Sequence, residues 1–220
     1  MHSSVNNLNI INDQINEELK KFDITNKIPN IIAVSKTFPI EKIKPLIESN
    51  HIHYGENRVQ EAISKWSKIK SQNKNIKLHL VGKLQTNKTK QAIELFDYIH
   101  SLDNIKLAKK ISEEQKKIKK KPKLFIQINI GDEAQKSGIK KNEIVEFYNL
   151  CKELSLDVIG TMCLPPLHGD TDNYFFEMKK LNEKINLNDL SMGMSDDYLL
   201  AIKHSATFLR IGTKIFGERV

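Results

Sequence analysis

Four places in this 220-residue chain carry side chains that could do chemistry. At Ile31-Ile32-Ala33-Val34-Ser35-Lys36-Thr37, a nearly continuous apolar run ends in a lysine. Strand alternation puts Ile32, Val34 and Lys36 on one face. A lysine at the mouth of an apolar barrel is desolvated, which lowers its pKa and favours the neutral, nucleophilic amine that condenses with an aldehyde. A strand-end lysine that simply reaches solvent gives the same pattern. At Ser191-Met192-Gly193-Met194-Ser195-Asp196-Asp197, small residues open a helical pattern and offer free N–H groups, where a helix N-terminus favours an anion. Ser195 ahead of two aspartates reads equally as an ordinary N-cap. At Phe208-Leu209-Arg210-Ile211-Gly212-Thr213, alternation turns Phe208 and Arg210 inward and Leu209 and Ile211 outward. An inward arginine is costly unless it has a partner. Gly212 and Thr213 then leave the strand with backbone N–H groups exposed. In the fourth place, Tyr54-Gly55-Glu56-Asn57-Arg58, Asn57 either hydrogen-bonds a polar ring substituent of a ligand or caps the next helix. Arg58 and Glu61 read as surface residues. One lysine nucleophile, one anion cup and one inward arginine describe a site for a phosphorylated aldehyde.

The elements that must position these residues follow from periodicity. Short apolar runs at 31–35, 52–54, 78–82, 98–101, 124–129, 158–162, 190–192 and 207–211 read as eight strands. Helical patterns lie near 40–49, 57–70, 85–95, 104–118, 142–154, 173–186 and 196–205. Leu8, Ile11, Ile15, Leu19 and Phe22 add an amphipathic N-terminal helix. Strict alternation implies parallel strands joined by right-handed crossovers. The expected fold is therefore α/β, a single (β/α)8 TIM-type barrel with an extra N-terminal helix. Residues 1–220 read as one domain, with 1–29 as the helix and lead-in. In such a barrel the loops after the strands form the active face, and phosphate often sits after strands seven and eight.

Composition narrows the remaining classes. Apolar residues make up 39% and charged residues 28%, and no apolar run approaches the roughly 18 residues of a membrane span. The first residues lack a secretory signal, so a cytoplasmic protein is expected. Cys151 and Cys163 indicate no disulfide framework and read as small buried hydrophobes. The net charge of +8 invites a nucleic-acid reading, yet Arg58, Arg210 and Arg219 are the only arginines among 35 basic residues. Base-reading surfaces use arginine forks or aromatic platforms, and neither is clustered here, so no nucleic-acid partner is expected. The densest run, Lys116 to Lys121, falls at a helix end, where cations oppose the dipole. His51 and His53 have no carboxylate or cysteine at ligand spacing, so no metal site is expected. His79 reads as a packed, hydrogen-bonded histidine or as a residue on the ligand side.

The motifs Ala33-Val34-Ser35-Lys36-Thr37, Gly55-Glu56-Asn57, His79 through Lys88, Ser191-Met192-Gly193-Met194-Ser195 and Arg210-Ile211-Gly212-Thr213 strongly resemble the pyridoxal 5′-phosphate (PLP) homeostasis proteins. Asn129 to Glu133 and Lys136-Ser137-Gly138 fit the same family, and the match runs from about residue 30 onward. The chain departs from the family at Tyr54, where phenylalanine is common. These proteins resemble the isolated barrel domain of alanine racemase, a PLP fold type III-like barrel. The resemblance implies PLP as cofactor, held as a Schiff base on Lys36. It implies phosphate contacts from Ser195, Gly212 and Thr213, and Arg210 facing the pyridine nitrogen; the ligand reading of Asn57 would place it at the same cofactor. It further implies a carrier or buffer of PLP without substantial catalysis, with PLP-dependent apoenzymes as recipients, and a monomer is expected. The alternative is a PLP-dependent amino-acid racemase of low activity. Alanine racemase takes its second acid/base, a tyrosine, from another domain, and no such domain is expected after the eighth unit. That favours the carrier.

Overall fold

Residues 31–34 are all buried, the mark of a parallel-sheet strand covered on both faces. The computed structural model describes residues 3–24 and 28–218. Its strands are β1 (Asn30–Val34), β2 (His53–Glu56), β3 (Lys77–Leu80), β4 (Tyr98–Leu102), β5 (Lys123–Ile128), β6 (Val158–Cys163), β7 (Asp189–Ser191) and β8 (Phe208–Ile211). They run parallel in sequence order, and β8 pairs with β1 to close the barrel, with Ile32 opposite Arg210. All eight expected strands are present. β7 is the shortest and is registered on β8 through Ser191 and Phe208.

The helices are α1 (Ser3–Lys21), α2 (Ile40–Glu48), α3 (Val59–Gln72), α4 (Thr89–Leu95), α5 (Ile105–Ile118), α6 (Ile144–Glu153), α7 (Thr171–Lys184), α8 (Tyr198–Lys203) and α9 (Thr213–Phe216). α9 is a single turn that the hydrophobic pattern does not announce. Leu8, Ile11, Ile15 and Leu19 are buried along one face of α1, which packs against α2, α8 and α9. The N-terminal helix thus links the first crossover helix to the last and completes the outer ring. Phe22 lies just past its end and is half-buried. The lysine run behaves as its position implies. Lys116 and Lys117 occupy the last turn of α5, and Lys119 ends the helix in the left-handed region at φ 57°.

Two apolar layers result from strand alternation. The outward strand residues, among them Ile31, Ala33, Tyr54, Leu209 and Ile211, pack against the helices. Inside the barrel Ile32, Val34, Phe125, Met162 and Phe208 form a smaller cluster. Tyr54 therefore belongs to the helix layer, with its ring 4.8 Å from that of Trp66. The interior is not wholly apolar: His79, His100, Ser191 and Arg210 are buried in it as well. Among the described residues no helix is long and apolar enough to cross a membrane.

Candidate functional site

The C-terminal ends of the strands open on a cleft of about 510 Å³, lined by Lys36, Asn57, Ser195, Arg210, Gly212 and Thr213, among others. This volume lies in the range of small-molecule sites. The closed barrel brings together all six residues singled out in the sequence, although they lie up to 177 positions apart.

Lys36 is half-buried, two residues beyond the end of β1, and both flanking peptide groups are held from α3. Lys65 Nζ donates to the Ser35 carbonyl at 2.9 Å, and the Thr37 N–H donates to Glu61 Oε1 at 2.8 Å. Thr37 sits at φ 67°, a left-handed conformation that is costly for a β-branched residue. Beneath this turn, Glu56 is fully buried. Its Oε1 accepts from Ser35 Oγ at 2.8 Å, Lys65 Nζ at 2.9 Å and Trp66 Nε1 at 2.9 Å. Glu61 is thus not a plain surface residue but a clamp on the turn that carries Lys36. Arg58 is exposed, as read.

The loops after β7 and β8 meet across the cleft. Gly193 adopts φ 89°, and a Cβ there would lie 2.7 Å from Ala201 Cβ, so only glycine turns the chain at this point. Helix α8 begins at Tyr198 with Asp197 as its cap residue, and the Asp197 carboxylate accepts from Met194 N. Ser195 is consequently not an N-cap. It is 7% exposed, and its Oγ accepts from Lys214 N at 3.4 Å, which ties the two loops together. Thr213 is the first residue of α9, so its N–H has no acceptor within the helix. Asn57 is likewise freed from capping: Arg58 takes the cap position of α3, without a side-chain bond.

Arg210 is 5% exposed. It donates from Nη1 to Ser191 Oγ at 2.6 Å and from Nη2 to the Cys163 carbonyl at 2.7 Å. Burial pulls its pKa below the ordinary arginine value, with Cys163 and Asp197 opposing. Burial also pushes the Cys163 thiol up to about 12, leaving it a neutral hydrophobe. Both cysteines are buried and free. His79 is fully buried and hydrogen-bonded to two other histidines, which supports the packed reading.

The cleft also contains Gln127 in β5, which strand and motif reasoning passed over, together with Lys83 after β3 and Lys136 with Ser137 from the loop after β5, which lie in the resembling motifs but were given no role there. Gln127 Nε2 donates to the Ser137 carbonyl at 3.0 Å and folds that loop against the mouth. The signal for Gln127 was its position one residue before the end of a strand that opens on the same mouth. With Lys36 and Arg210, the lysines outnumber Asp196 and leave the cleft net cationic, although Lys136 is paired with Glu133 at 2.6 Å.

An eight-stranded parallel barrel whose strand-end loops gather a lysine, the Ser195, Gly212 and Thr213 loops and a buried arginine is the alanine-racemase type of barrel. A model of the alanine racemase N-terminal domain matches residues 12–220. A pyridoxal phosphate homeostasis protein of Haemophilus influenzae is 37% identical, over 97% of this chain and 94% of that protein. One from Escherichia coli K12 is 31% identical, over 100% of this chain and 98% of that protein. The structure of PipY from Synechococcus elongatus, solved with PLP bound, is 32% identical with a TM-score of 0.80, covering 92% of this chain and 100% of that one. An alanine racemase of Clostridium difficile shares the fold at 15% identity and a TM-score of 0.69, covering 94% of this chain and 57% of that one. The chain belongs to the pyridoxal phosphate homeostasis protein family.

Proposed function

We propose that this protein binds PLP in the strand-end cleft and acts in its homeostasis as a carrier or buffer. The observation that carries this reading is the convergence of Lys36, the two joined loops after β7 and β8, and inward Arg210 on one cationic cleft. These residues fit the group. Lys36 would supply the amine that holds the cofactor's aldehyde as a Schiff base, with the carbonyl oxygen released as water. Ser195, Gly212 and Thr213 supply the phosphate cup, and Asn57 meets a polar ring substituent. Arg210 faces the ring nitrogen and, because it keeps its proton, leaves that nitrogen unprotonated and the ring a poor electron sink. The recipients in this reading are PLP-dependent apoenzymes.

The racemase alternative needs acid/base groups on both faces of the ring. Among the described residues lining the cleft there is no tyrosine, histidine or cysteine, and the ionisable groups there besides Lys36 are Lys83, Lys136, Asp196 and Arg210. This favours the carrier, as does the naming of relatives as homeostasis proteins.

Protein mixed with PLP is expected to gain a visible absorption band, and borohydride to fix the cofactor on Lys36. Peptide mapping that finds the reduced adduct on another lysine would overturn the assignment. Turnover is tested separately by deuterium exchange at Cα of L-alanine in D₂O, followed by NMR, and negligible racemisation is expected. Racemisation in the common enzyme range of roughly 1–10³ s⁻¹ would sink the carrier reading.

A further inference from the structure

A continuous line of polar side chains crosses the barrel interior behind Arg210. Ser191 Oγ lies 2.8 Å from His100 Nδ1, His100 Nε2 lies 2.9 Å from His79 Nδ1, and His79 Nε2 lies 2.9 Å from His53 Nδ1. Ser191, His79 and His100 are buried, and His53 is half-buried. The two inner rings are fixed by stacking, His79 on Tyr98 at 4.2 Å and His100 on Phe125 at 4.3 Å. Strands β2, β3, β4, β7 and β8 each contribute one member.

The direction of this chain follows from Arg210, which can only donate. Its Nη1–H occupies one lone pair of Ser191 Oγ. The hydroxyl hydrogen of Ser191 then finds its acceptor at His100 Nδ1. His100 must carry its hydrogen on Nε2 and donate to His79 Nδ1, and His79 must do the same toward His53. The opposite polarity would make His100 a donor to Ser191 and leave the buried hydroxyl hydrogen without an acceptor, which is costly. Any mixture of tautomers sets two hydrogens or two lone pairs against each other at 2.9 Å. Burial, which holds His79 and His100 well below the usual histidine pKa, keeps both neutral. Because arginine does not release its proton, the line cannot carry a net proton to the cleft. Each bond polarises the next, and the Ser191 oxygen becomes a stronger acceptor for the guanidinium.

We infer that Ser191 and the His100–His79–His53 chain are positioning residues, which hold Arg210 against the ring nitrogen of the cofactor. This rests on the PLP reading of the cleft. Without the chain Arg210 would relax and the ring nitrogen would take up a proton, whose charge weakens proton binding at the C=N nitrogen conjugated with it across the ring.

The test has two parts. In the apo protein at pH 7, long-range ¹⁵N–¹H NMR is expected to show His79 and His100 as neutral Nε2–H tautomers. Nδ1–H tautomers or imidazolium ions would overturn the chain. In the PLP-loaded protein, Ser191→Ala and His100→Leu are expected to lower the pH midpoint of the visible band by about one unit, a tenfold change in the proton equilibrium. His100→Asn, whose carbonyl oxygen falls where Nδ1 stood, is expected to restore it. Midpoints equal to wild type in both first variants would overturn the positioning role. If His100→Leu fails to fold, Ser191→Ala, which removes one atom, and the wild-type tautomers still decide. Wild-type protein that takes up no PLP would defeat the reading of the cleft itself, and the positioning role with it.

Discussion

Lys36 carries the proposed chemistry yet contributes little to packing, because it stands beyond its strand and half out of the core. Lys36→Ala is therefore expected to abolish the borohydride-fixable link while changing stability by only about 0.5 kcal/mol. PLP still enters the phosphate cup non-covalently. A thermal scan of the apo variant checks this, and a collapsed midpoint would make Lys36 structural. At this scale the sequence was informative wherever alternation on a strand applied. Ile32, Val34, Phe208 and Arg210 face inward and Leu209 and Ile211 outward, as their spacing implies. The clamp on the Lys36 turn was hidden, because Lys65 and Glu61 lie on a helix whose polar residues look like any solvated face. Only closure of the barrel carries them back to Ser35 and Thr37. The histidines were visible one at a time, but their alignment depends on the stagger of three strands.

The loop from β7 into α8 is the element on which the phosphate cup depends. Gly193→Ala forces an L-residue to φ 89° and drives its Cβ into Ala201. The expected cost is about 1–3 kcal/mol of stability. Displacement of Ser195 should also weaken PLP binding in a Lys36→Ala background, where phosphate contacts dominate. Urea unfolding and a PLP titration measure the two effects, and an alanine variant that binds as tightly as its parent would remove this loop from the cup. The Ser-Asp-Asp pattern marked the right loop but placed the helix start near 196, two residues early. Asp197 uses its carboxylate on Met194 N rather than inside the helix, a choice local propensity does not reveal. The single-turn α9 was missed for a related reason: four residues are too few for a period of 3.6 to show.

For the molecule as a whole, the buried histidines set an acid limit. Burial holds His51 and His53 at about 4, and His79 and His100 well below the ordinary 6.5. Lys77 lowers His53 further, and Asp97 partly offsets this. Between about pH 6.5 and 4 the unfolded chain binds protons that the folded chain refuses, so stability rises with pH across that window. The urea midpoint is expected to be level above pH 7 and to fall steadily from 6.5 toward 4. A flat profile there would mean that these histidines titrate normally. The eight-unit barrel was legible because strand and helix periods alternate through the chain. What periodicity could not supply was the seating of α1, whose apolar stripe specifies a partner without naming it. That seating has a consequence for synthesis on the ribosome. Asn7 bonds the Ile215 carbonyl, and Tyr198 bonds Gln14, so α1 is fastened to segments made 184 to 208 residues after it. At about 5–20 residues per second, the stripe of Leu8, Ile11, Ile15 and Leu19 waits on the order of tens of seconds for its cover. Through that interval the nascent chain exposes an adhesive helix, which makes α1 the segment that chaperones are best placed to meet.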